Sequence, residues 1–320
     1  MSLVERADRF QRAHPRAGLP LAVVYKFFDD QGTYLAALVA YYGLLSLVPL
    51  LLLSTTILNF TLEGDPDLQH KVFDSALGQY PIVGDQLANP NGVSGSSLGL
   101  TVGIVGTLFF GLNVAQAAQN AMNTIWRVPR NDRPNPFRSR GRSLLLLTIG
   151  GVAVLVTTGL ATLGSQVDAF GITTQVLIGL GTLALNAVFF SIGFHVATAR
   201  RLTLRQTVPG ATGAAVVWQA LQYVGALYVS HAVRGTSDVN GVFALFLGLM
   251  AWLYLGSLVM VFAVEYNTVR SLRLYPRALL TPFTDDVDLT AADVESYAQQ
   301  ARAQRFKGYE EITVRFDPPE

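Results

Sequence analysis

The stretch VNGVFALFLGLMAWLYLGSLVMVFAV, Val239–Val264, runs for 26 residues without a charge and stops at Glu265. A hydrocarbon core of ~30 Å takes about 20 helical residues to cross, and a backbone in lipid must satisfy its own hydrogen bonds. The stretch therefore reads as a membrane-spanning helix. Working back toward the N-terminus, five more uncharged windows follow: Gln206–Val233, Ala169–Ala199, Ser143–Val167, Gln86–Trp126 and Gln31–Leu62. Hydrophobic residues make up 51% of the chain and charged ones 14%, against roughly 25% charged in soluble domains. The predicted fold class is all-α, a polytopic membrane protein whose six transmembrane helices lie at about 34–60, 98–126, 144–163, 173–198, 209–231 and 242–269. Around this domain, residues 32–276, stand an amphipathic N-terminal segment, 1–31, and a tail, 277–320.

Lys and Arg resist translocation and collect in cytoplasmic segments. Placed against the six windows, 21 of the 23 basic residues fall on one side, and only Lys71 and Arg234 oppose them. This asymmetry predicts both termini in the cytoplasm and a multi-pass protein of the bacterial inner membrane. Basic juxtamembrane loops are drawn to anionic lipid headgroups, so membrane lipids, and not nucleic acid, are the expected partners. A homo-oligomer is a further possibility. The chain has no cysteine, which removes disulfides, thiolate catalysis and Cys-based metal sites. Its polar, charged first thirty residues do not match a cleaved signal peptide.

Between the first two spans, residues 61–97 form an acidic external loop in which Leu68, Val72, Phe73, Ala76 and Leu77 fall at helical spacing. One or two short amphipathic helices are predicted there, with Asp65 and Pro66 at an N-terminus. Inside the membrane, the second span is unusually polar. Asn113, Gln116, Asn120 and Asn123 recur every three or four residues and share one helix face, with Gln119 beside them. Polar groups in a bilayer face a bundle interior or a wet cavity, so this face is a candidate substrate path; equally, amides of this kind hydrogen-bond helices together. Asn186, near the middle of the fourth span, joins the face if those two helices are neighbours. At the basic end of the sixth span stand Glu265 and Asn267, where Arg200, Arg201 or Arg270 would be ion-pair partners for the carboxylate. A proton-coupling role and an interfacial ion pair are both open to Glu265.

The run Trp252-Leu253-Tyr254-Leu255 followed by Ala263-Val264-Glu265-Tyr266-Asn267 resembles the signature of the YihY/BrkB family of bacterial inner-membrane proteins. Ala40-Tyr41-Tyr42 through Ser46-Leu47-Val48-Pro49-Leu50 is similar to that family's first helix, and Ala121-Met122-Asn123-Thr124-Ile125-Trp126 to the end of its second. Order and spacing fit over about Val24–Arg277, while Phe109–Asn113 departs from the Trp- and Ser-containing stretch of the family. The resemblance implies a membrane protein and no settled chemistry. The family's historical ribonuclease BN label requires clustered metal-binding His and Asp, whereas His14, His70, His195 and His231 are scattered.

A polar helix face in a six-helix bundle, an acidic external cap and no catalytic constellation point away from an enzyme and from any cofactor or metal. They point toward a transporter or flippase of a lipid or amphipathic envelope molecule. The alternative is a noncatalytic scaffold that recruits a partner through its tail. A channel ranks third, for lack of a charged ring or filter motif.

Overall fold

The computed structural model describes residues 3–61, 97–166, 172–232, 238–281, 283–284 and 287–316. The short helices expected within 61–97 lie almost wholly outside the described residues. Those described are helical wherever they are regular. The basic side begins with α1 (Leu3–Ala13), a 3-10 turn at Pro15–Gly18 and α2 (Leu19–Asp29). Six long helices follow: α3 (Gly32–Thr61), α4 (Ser97–Ile125), α5 (Pro136–Gln166), α6 (Ile172–Ala197), α7 (Leu204–Ala232) and α8 (Asp238–Leu272). The tail carries α9 (Ala291–Arg302), opened by a capping box between Thr290 and Asp293. Among the described residues, Pro136–Thr157, Val176–Ala197 and Phe246–Leu272 are long and apolar enough to cross a membrane.

Each long helix packs beside its neighbour in sequence, and α8 returns to α3, so the six close into a ring. α4 also touches α6 and α8, which sets it inward and explains how a helix with so many amides is accommodated. α3 continues through Pro49, where the proline ring rests on α4: a Cβ at Gly106 would lie 2.7 Å from Pro49 Cβ.

The fully buried apolar core sits at the basic end. Phe27 of α2, Met122, Ile125 and Trp126 at the end of α4, Phe194 and Ala197 of α6, and Val261 and Val264 of α8 form one cluster. A second, from Ala22, Val23, Val269 and Leu274, seats α2 against the end of α8. Farther from that end, α5 and α6 present apolar side chains outward, Leu155 at 73% exposure and Leu177 at 63%, as lipid contact requires.

α4 and α8 terminate alike. Val128 N–H reaches Asn123 C=O and Arg127 N–H reaches Thr124 C=O, while Leu274 N–H reaches Val269 C=O. The residues making these turns, Arg127 and Arg273, have φ of 54° and 55°, in the left-handed region where glycine is usual. A non-glycine residue there costs ~1–2 kcal/mol. At Arg127 this turn carries the side chain toward the end of α2.

Candidate functional site at the basic end

Three elements converge where α2 closes the bundle. Lys26 lies one turn before Asp30 on α2, and its buried Nζ donates to Asp30 Oδ2 at 2.5 Å, to Glu265 Oε2 of α8 at 2.9 Å and to Ile125 C=O at 2.8 Å. That carbonyl ends α4 and has no partner within its own helix, so a cation meets both a bare acceptor and the negative end of the helix. Arg127, carried inward by the left-handed turn, places Nη1 2.6 Å from Asp30 Oδ1. Lys26, Asp30 and Glu265 side chains are fully buried and that of Arg127 nearly so. Two cations and two carboxylates thus balance in charge. Glu265 Oε1 and Arg127 Nε and Nη2 are buried without hydrogen-bond partners among the described residues, so the network is not fully satisfied.

A second buried cluster lies next to the first. Arg277, just beyond α8, pairs through Nε with Asp293 of α9 and through Nη1 with Asp29 at 2.9 Å. Its guanidinium lies over the rings of Tyr297 and Tyr25, at 5.1 and 5.9 Å. Burial alone would lower its pKa, but the Asp29 and Asp293 carboxylates hold it above the ordinary arginine value. Asp29 and Asp30 are adjacent in sequence, so the end of α2 ties the tail to one cluster and the bundle to the other. The tail completes the side: Gln11 donates to Arg277 C=O at 2.5 Å and Asp8 accepts from Leu279 N–H at 2.8 Å. Arg130 and Asn131 N–H groups bond Ala303 and Arg305 carbonyls.

The polar face of α4 is largely spent on helix contacts. Gln116 donates to Ser139 Oγ at 2.7 Å, Gln119 to Ser143 Oγ at 2.8 Å, and Asn123 accepts from Ala199 N–H at 2.7 Å. Asn120, exposed, accepts from Arg133 at 3.1 Å. Asn113 and Asn186 are half-buried and make no hydrogen bond among the described residues, so none joins Asn186 to the α4 amides. Asn267 is a clamp between helices, accepting from Gly210 N–H at 2.8 Å and donating to Thr207 C=O at 2.9 Å.

Glu265 departs from expectation in its partner. The carboxylate reaches Lys26, while Arg200 stacks over Trp126 at 5.9 Å and Arg270 donates to Arg205 C=O at 3.2 Å. Sequence reasoning missed Lys26, Asp30, Arg127 and Arg277 by treating each as a solvated or interfacial charge. The i, i+4 spacing of Lys26 and Asp30, with Phe27 and Phe28 between them, was the available signal.

An all-α bundle with several helices apolar and long enough to span a bilayer defines an integral membrane protein. The family model described as virulence factor BrkB matches residues 23–284, and the chain belongs to that family. A UPF0761 membrane protein of Alteromonas mediterranea is 27% identical over 251 residues, covering 75% of this chain and 83% of that one. One from Pseudoalteromonas atlantica is 25% identical, covering 80% and 87%. Against a Psychrobacter relative, 24% identical over 83% of this chain, the chain spans only 52% of that protein's length. No solved structure matches the chain.

Proposed function

We propose that this protein is a transporter or flippase for a lipid or other amphipathic envelope molecule in the bacterial inner membrane. In this reading all six long helices cross, the basic end faces the cytoplasm, and the structure is closed at that end. The observation that carries it is the buried quartet of Lys26, Asp30, Arg127 and Glu265, which joins the N-terminal segment to the ends of α4 and α8. Buried ion networks cost several kcal/mol per ion in desolvation and are often no more stabilising than apolar packing, while ionisable groups within a bundle commonly line a path or a gate. A seal made of charges can reopen because water can replace each partner; an apolar seal has no such exchange. The paired α4 amides belong to the closed state, where Ser139 and Ser143 occupy them.

The scaffold reading draws on those same bonds, since amides fully used between helices need no substrate. Its docking element would be the exposed end of the tail, with Tyr309 at 90% exposure, because the Arg277 face is already occupied by the protein's own N-terminal segment.

The test is reconstitution into liposomes carrying headgroup-labelled phospholipid, comparing the native chain with the K26M/E265M double variant. That variant removes one opposite pair, keeps Arg127–Asp30, and replaces buried charge by apolar groups of similar volume, a change that is often neutral for stability. Native protein should move label faster than protein-free liposomes, and the double variant should be slower by on the order of tenfold, a barrier change of ~1.4 kcal/mol. No movement by folded native protein rejects transport, and equal rates reject the gate. Because the chain lacks cysteine, a Tyr309→Cys variant labelled from one side reports orientation in the same vesicles.

A further inference from the structure

Six arginines fall between Arg127 and Arg142, with Asp132 the one acidic residue among them. Arg127 is answered by Asp30 at 2.6 Å and Asp132 by Arg305 at 3.6 Å, while Arg130 stacks on Phe306 at 5.0 Å and donates to Gln304. Arg133, Arg138, Arg140 and Arg142 have no carboxylate partner among the described residues. Arg133 gives its donors to neutral acceptors, Asn120 Oδ1, Thr124 Oγ1 and Val128 C=O. Its pKa is lowered, by burial and then by the charge of Arg130, as in a positive region lacking counter-charge. Arg142 Nη1 is buried with no hydrogen-bond partner among the described residues.

Position along α5 indicates what should neutralise this region. Arg138, Arg142, Leu145, Ile149, Val152 and Val156 are separated by three or four residues and form one stripe of the helix. Leu145, Val152 and Val156 are exposed at 49%, 45% and 44%, so the upper stripe is open apolar surface. With a rise of ~1.5 Å per residue, the two arginines lie roughly 5 and 10 Å below Leu145, the depth of the headgroup layer beneath the hydrocarbon. Phe137, at 90% exposure, stands beside Arg138 at the same level.

We infer that this face of α5 is a binding site for an anionic glycerophospholipid. Arg138 and Arg142 hold the phosphate, and an acyl chain lies along Leu145, Ile149, Val152 and Val156. Two guanidiniums at i, i+4 come within reach of one phosphate and can donate to it bidentately. The apolar stripe continuing from them commits the occupant to a lipid: a soluble anion would use the arginines and leave the stripe bare. The site does not depend on transport and would serve a scaffold equally.

The full chain in nanodiscs of phosphatidylcholine, titrated with phosphatidylglycerol and read by thermal unfolding and by native mass spectrometry, tests it. Native protein should retain phosphatidylglycerol and gain thermal stability from it. R138Q/R142Q should weaken that retention by on the order of thirtyfold, at ~1 kcal/mol per basic residue near an anionic surface. R201Q, the loss of one charge on the same side and so the match for R138Q, should bind as the native chain does. R138Q alone, changing an exposed side chain, keeps the test intact should the double variant not fold, and should weaken retention severalfold. Unchanged retention in R138Q and in the folded double variant overturns the site. So does equal loss in R201Q, which marks a diffuse field, or full displacement by millimolar inorganic phosphate, which marks a soluble-anion site.

Discussion

At the basic end, the polar groups that matter are paired between residues distant in sequence: Lys26 with Glu265, Arg277 with Asp29, Asn123 with Ala199. Farther along the α5–α6 hairpin, three threonines are satisfied at home. Thr148 donates to Leu144 C=O, Thr157 to Ala153 C=O and Thr182 to Ile178 C=O, each within its own helix, and the surface around them is apolar. The contrast follows from solvent. A side chain facing lipid must settle its hydrogen bonds locally, because nothing outside the helix will accept them. At the basic end the headgroup layer and water are near, so charges can be carried into contact and buried together. The fold is held by specific pairing at one end and by generic lipid-compatible surface at the other.

The largest expected effect breaks that comparison at its charged side. K26M leaves Glu265 and Asp30 buried with Arg127 as the one remaining cation and strips the Ile125 carbonyl of its donor. Losing one partner of a buried pair costs about 3–5 kcal/mol, so the variant should unfold at much lower temperature in detergent or fail to accumulate. K26M/E265M should recover most of that loss. V152A, at an outward position of α5, should change stability by no more than ~0.5 kcal/mol. A K26M as stable as V152A would mean that water already reaches the quartet.

The same contrast decides what could be read from the sequence. Hydrocarbon excludes charge, so the uncharged windows mark the long helices. Three of the six stay inside their windows and three pass them, because a helix need not stop where lipid does: the third starts at Pro136, a favourable first helical residue, rather than near 144, and the sixth runs on to Leu272. The α4 amides were visible because their spacing is local. Their partners were not, since the partnership of Gln116 with Ser139 depends on which helices become neighbours. Lys26 was the least legible. In a count of basic residues it looks like any cytoplasmic charge, and only the return of α8 to α2, more than two hundred residues later, turns it into a buried donor.

A middle-sized effect is expected where α7 meets α8. A Cβ on Gly210 would fall against Ala263 C=O and the Asn267 amide, so G210A forces backbone apart at a contact that also carries two hydrogen bonds. Overpacking of this kind costs about 1–3 kcal/mol. G213A, on the same helix with nothing near its Cβ, should be neutral or slightly stabilising, as alanine favours a helix over glycine by ~1 kcal/mol. Thermal unfolding of the pair separates close approach from helix propensity, and equal shifts would remove the clamp.

The smallest expected effect lies on the tail side, where Asp8 holds Leu279 N–H. Burial would raise the carboxyl's pKa, but the Leu279 amide, Gln11 and Arg12 outweigh it and hold it below the ordinary 3.8. A folded-state pKa below the unfolded one adds stability that is complete above the unfolded value and is lost as pH falls through the folded one. The contact should therefore be intact at neutral pH and weaken only below about pH 4. Amide exchange at Leu279 should rise over that range before the bundle amides respond. D8N should raise it already at neutral pH, since it removes the charge but keeps the shape. In D8N at neutral pH the Arg277 pairs with Asp29 and Asp293 are untouched, so α1 should loosen while α9 stays docked. Simultaneous release of α1 and α9 would show instead that the N-terminal segment and tail detach as a single unit.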